Sequence, residues 1–118
     1  MSIREKAKYW LKINHPAECA GQLRVSKYYA EKDIWFFTFP ITYCESGKSG
    51  NLNILLQLEK EHDQFHYLKV PFQFFHANRN KLDVRESGDK FDLHISAKQL
   101  NWLVCERSQG VNFSKFLE

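Results

Sequence analysis

Residues 44–51, Cys-Glu-Ser-Gly-Lys-Ser-Gly-Asn, contain the Gly47-Lys48-Ser49 triplet that closes a phosphate-cradling loop. That chemistry needs a further glycine five residues before the Gly of the triplet, and Thr42 stands there. It also needs a strand before the loop and a helix after it, because the first N–H groups of the helix hold the phosphate. Gly50 and Asn51 lead instead into a strand-like run, so the segment reads as a polar connection between strands.

Other residues capable of chemistry do not assemble by spacing. A zinc site draws on four ligands at tight paired spacings. His62 and His66 are four apart but fall in a turn and a strand, His15 and Cys19 flank Pro16, and His76 and His94 stand alone. Nucleophilic catalysis needs a Ser or Cys beside a base. There is no Gly-x-Ser-x-Gly, and Cys44 has only Lys48 near it. Glu59 and Glu61, and Asp89 and Asp92, are paired carboxylates at turns, where acids serve solubility. No metal and no cofactor is expected.

The cations are more informative. Of the 17 Lys and Arg residues, seven lie in residues 1–40 against four acids, and the remaining 78 residues carry ten of each sign. The whole net charge of +3 therefore sits in the first third. Cations supply sequence-independent phosphate affinity, and exposed rings stack on bases. The candidate contacts are Lys6, Lys8, Lys12, Arg24, Lys27 and Lys32, with Tyr28 as a stacking ring. Lys8 and Lys12 share a helical face with Arg4 or Glu5 close by. Strand alternation puts Arg24 and Lys27 on opposite faces unless the strand stops near Ser26.

The elements that must position these groups follow from periodicity. Ser2 and Glu5 have capping-box spacing, and Ile3, Ala7, Trp10 and Leu11 share one helical face. The helix should stop before His15-Pro16, because the residue before a proline avoids helical geometry. Residues 23–29 and 34–39 read as a first hairpin, 51–59 and 65–71 as a second, and 82–85 and 91–96 as a third with Gly88 in the turn. Pro71 suits the start of a short middle helix. Ser96 and Gln99 have the spacing of a cap for a C-terminal helix running to about Cys105. The expected fold is a single α+β domain over residues 1–118. It has one mostly antiparallel, curved sheet of about six strands, an N-terminal helix, a short middle helix and a C-terminal helix.

Composition bounds the rest. With 118 residues, 43% apolar and 26% charged, the chain is long enough for a single core and is not of disordered type. Aromatics reach 15%, ten of them Phe, so rings fill the core or face a partner. No apolar run approaches the roughly 20 residues that cross a bilayer, and "MSIREKAKYW" carries no apolar secretion segment. Three scattered cysteines fit a reduced, cytoplasmic setting better than a disulfide framework.

The order Trp-Phe-Phe-Thr-Phe at 35–39, a polar loop, Asn-Ile-Leu-Leu-Gln-Leu at 53–58, an acidic turn and Phe-His-Tyr-Leu-Lys-Val-Pro at 65–71 resembles a known family. Over residues 22–95 it is similar to the C-terminal half of restriction-endonuclease-like modules of the PD-(D/E)XK type. Chemistry in that family needs an acid and a Glu-x-Lys that together bind a divalent metal. Tyr67 stands where the acid before Lys69 would be, and Asn53 where another acid would precede a strand. The resemblance therefore implies a non-catalytic relative that retains DNA or protein binding. Two further alternatives are a protein-interaction or homo-oligomer-forming module, and a metal-dependent nuclease-like enzyme. The enzyme would require two or more carboxylates converging in a cleft.

Overall fold

A computed structural model describes residues Met1–Glu118. Helix α1 spans Ile3–Asn14 and begins as its sequence dictates. The Ser2 hydroxyl accepts the Glu5 backbone N–H, and the Glu5 carboxylate accepts the Ser2 N–H, a closed capping box. Ala7 and Leu11 are buried, while Ile3 and Trp10 are half-buried against the same cluster. The helix stops at His15, as the following proline requires.

The strands are β1 (Gln22–Ser26), β2 (Tyr28–Tyr29), β3 (Ile34–Pro40), β4 (Asn51–Gln57), β5 (Phe65–Pro71), β6 (Asp83–Val84) and β7 (Lys90–Ser96), with helix α2 at Phe72–Ala77 after β5. The fold is α+β, but the single curved sheet expected from the hairpins is two sheets. One has the order β1-β4-β5 and the other β2-β3-β7-β6. The second and third hairpins form, with Leu52 opposite Val70 and Val84 opposite Phe91. The first does not. Only Tyr28 and Tyr29 pair back onto β3, opposite Trp35 and Ile34. Strand β1 instead pairs in parallel with β4, Leu23 beside Asn53 and Val25 beside Leu55.

The break falls at Ser26. Its hydroxyl donates to the Lys27 carbonyl and accepts the Phe36 N–H, so the chain leaves one sheet and enters the other within one residue. What chooses the partner of β1 is burial. Leu23 packs with Ala7, Leu11, Leu55, Phe65 and Tyr67 in a small core between α1 and the three-stranded sheet. The opposite face of that sheet, with Leu52, Ile54 and Leu56, meets Trp35, Phe37, Phe39, Phe91, Leu93 and Ile95 of the four-stranded sheet in the larger core. The layers are helix, sheet, sheet. Strand β4 lies in the middle, buried on both faces, which is why it reads as a nearly continuous apolar run.

No C-terminal helix forms. The Ser96 hydroxyl accepts the Lys98 N–H, and the Leu103 N–H bonds the Ser96 carbonyl, so the chain folds back on itself. Only a 3₁₀ turn at Gln99–Asn101 remains. Single bridges, Ile95 with Cys105 and Val104 with Asn112, carry the segment across the core, with Leu103 held at a left-handed φ of 61°. Helical spacing would have buried Leu100, which is 96% exposed. No helix is long and apolar enough to cross a membrane.

The small core carries a pH prediction. Burial, then the negative charges of Glu18 and Glu118, pushes the Tyr67 pKa up to about 12. The unfolded chain therefore loses this proton first, near pH 10. The stabilisation is complete below about pH 10 and lost as pH rises toward about 12, about 2 kcal/mol in all. Tyr28, also at about 12 chiefly through its hydrogen bond to Asp33, pulls the same way. Urea unfolding at about pH 8 and about pH 11 should show about half of this loss, and Tyr67→Phe should reduce it to the share that Tyr28 contributes.

Candidate nucleic-acid interface

Arg4, Lys8 and Lys12 form a row along the solvent side of α1, all three exposed. Four-residue spacing advances about 6 Å along a helix axis and turns about 40° around it, so the three charges form an oblique row along one side. The chain's ion pairs are Lys6–Asp63, His66–Glu59, Lys69–Glu18, Arg85–Asp92 and Lys98–Glu106. None includes a member of the row. Three neighbouring cations are thus in no ion pair, the acid beside them, Glu5, being held by Ser2 at the helix start, and their mutual repulsion favours an anion among them.

The row overlooks a groove of about 570 Å³ whose other wall is formed by Cys19, Gly21 and Gln22 at the entrance to the edge strand β1. One Arg4 guanidinium N–H donates to the Leu23 carbonyl at 3.0 Å, tying helix to strand. The wall is held from behind. Lys69 pairs with Glu18 at 2.9 Å, Asn53 Nδ2 donates to the Glu18 carbonyl at 2.9 Å, and the buried Tyr67 hydroxyl donates to Asn53 Oδ1 at 2.6 Å. Gly21 is required by contact: a Cβ there would lie 2.7 Å from Asn53 Nδ2. The polar residues Asn53, Tyr67 and Lys69 therefore form one network that sets the shape of the groove.

The remaining sequence candidates are dispersed. Lys6 points to the other flank of α1, 2.8 Å from Asp63 in the β4–β5 turn. Arg24 faces away from α1, bonded to the Tyr43 hydroxyl at 3.0 Å with its guanidinium over the Phe39 and Tyr43 rings. Lys27 lies over the Tyr29 ring, 4.9 Å from its centre. Lys32 is exposed beside Tyr29, Phe36 and His94. Tyr28 is half-buried, its hydroxyl on Asp33 and its ring against Trp35, away from the groove beside α1. Two of the seven candidates, Lys8 and Lys12, meet at the groove. The reading from sequence left Arg4 out of the contacts and missed Tyr9, a 63% exposed ring on the adjacent helical row. The 4-8-12 spacing was the available signal for Arg4.

Alternative chemistries find no assembled site. Gly47-Lys48-Ser49 lies in a connection that enters β4 at Asn51, with the Lys48 ammonium 4.8 Å from the Phe72 ring centre. Cys44 is buried, and burial pushes its thiol pKa up, away from the nucleophilic thiolate. The carboxylates are engaged separately: Glu59 with His66, Asp89 with Ser87, Asp92 with Arg85 and Thr38. No three His, Cys, Asp or Glu side chains stand close enough to share an ion. No family model, curated protein or solved structure matches the chain.

Proposed function

We propose that this protein is a small binding domain that holds the phosphate backbone of a nucleic acid along the exposed side of α1. The observation that carries the reading is the row Arg4, Lys8 and Lys12, three aligned cations with no carboxylate partner, set above a groove. Arg4 gives a planar fork and the two lysines mobile point charges, a mixture suited to backbone rather than base recognition. The test is fluorescence anisotropy of a labelled oligonucleotide titrated with the protein at low salt. Saturable binding is expected, and its absence at low salt overturns the reading.

A second reading, association with another copy of the chain, draws on the exposed apolar residues Met1, Tyr9 and Ile13 beside Trp10. Sizing of the pure protein separates the two, since a strict monomer that binds oligonucleotide supports only the first.

A further inference from the structure

Resting on the phosphate-binding reading, we infer that the occupant of this site is a single strand rather than a duplex. Each cation should meet one successive phosphate, and one base should stack on Tyr9.

The first argument is the way α1 is seated. To enter a major groove about 12 Å wide, a helix 10–12 Å across must stand clear of its own protein along both flanks. Both flanks of α1 are occupied. On one, Lys6 meets Asp63 at 2.8 Å and Trp10 Nε1 donates to Gln64 Oε1 at 3.0 Å, both partners in the β4–β5 turn. On the other, Arg4 donates to the Leu23 carbonyl of β1. The helix shows solvent one long side only, and the protein itself fills the space that groove walls would need.

The second argument is the spacing. Each cation stands about 6 Å further along the helix axis and about 40° further around it, a distance comparable to that between successive phosphates of an extended strand. The third is the ring. Tyr9 lies one turn before Lys12, its ring in solvent at the rim of the neighbouring hollow that it shares with Trp10 and Ile13. An unpaired base can turn onto it, whereas a paired base stays inside the duplex stack. Glu5, one turn before Tyr9, is held by Ser2 at the helix start.

The experiment compares a labelled oligo-dT of about eight nucleotides with a duplex of the same length, by anisotropy at one low salt concentration. The single strand should bind at least about tenfold more tightly. Tyr9→Ala should weaken single-strand binding by roughly 5- to 150-fold without changing its salt dependence, and Tyr9→Phe should restore it. Equal or tighter duplex binding, or Tyr9→Ala binding like the wild type, overturns the single-strand inference and leaves the phosphate reading standing. Failure to bind either form overturns both.

Discussion

The double variant Lys8→Glu/Lys12→Glu should lose oligonucleotide affinity by at least about 100-fold while keeping the wild-type fold. Both side chains are exposed and neither makes an ion pair, so the change removes no internal contact. The carboxylate introduced by Lys8→Glu would stand four residues after Arg4 and pair with it, which takes the third cation out of service as well. The structural cost is small. A carboxylate near the carboxyl end of α1 opposes the helix dipole by about 0.3–1 kcal/mol. Circular dichroism and a urea midpoint near the wild-type value are the controls. Lys8→Gln/Lys12→Gln should weaken binding less, because it neutralises the two lysines without reversing their charge. If the charge-reversed variant bound as tightly as the wild type, the contact surface would lie elsewhere on the molecule.

Phe75→Ala should destabilise the fold by about 3–5 kcal/mol, the range for a buried Phe whose cavity cannot collapse. Phe75 is fully buried on α2. Its ring centre lies 5.7 Å from Phe91, 6.0 Å from Phe39 and 6.2 Å from Phe113, so one deletion strips contacts from both β3 and β7 and from the C-terminal segment. Against a total of about 5–15 kcal/mol for a domain, that is a large fraction, worth about 10–25 °C in melting temperature. Phe74→Ala, at a half-buried ring packed on Phe116, should cost distinctly less. Thermal and urea unfolding of the two variants check the order. A Phe75 effect no larger than that of Phe74 would mean that the aromatic centre is not packed as described.

What the sequence disclosed was mostly local. Ser2 and Glu5 cap α1, Pro71 precedes α2, and Gly88, at a φ of 78°, turns the last hairpin, each a signal contained within a few residues. What it concealed depended on distant partners. Leu23 and Val25 alternate as well for a hairpin with β3 as for a parallel pairing with β4, and only the apolar face of α1 decides between them. Ser26 is the switch point, and no Gly or Pro beside it marks the break. Ser96 and Gln99 have capping spacing, yet the pull of Leu103, Cys105 and Phe113 into the core prevails over local helical preference.

The same division holds at the candidate interface. The row of Lys8 and Lys12 follows from helix geometry and could be read directly. Lys6 looked equivalent to them until the fold brought Asp63, 57 residues away, to its ammonium. Arg24 and Lys27 sit on either side of the break at Ser26, one over Phe39 and Tyr43 and the other over Tyr29. A basic third of a chain is thus not one basic surface. Three of its cations line a groove, and the others are absorbed by a carboxylate, by rings or by solvent.

The central claim, that three unneutralised cations contact phosphate, is tested most directly by the salt dependence of oligonucleotide affinity. Between about 50 and 200 mM salt, the plot of log K against log salt should be linear, with a slope between about −2 and −3 for three contacts. Affinity that does not change with salt would contradict the claim.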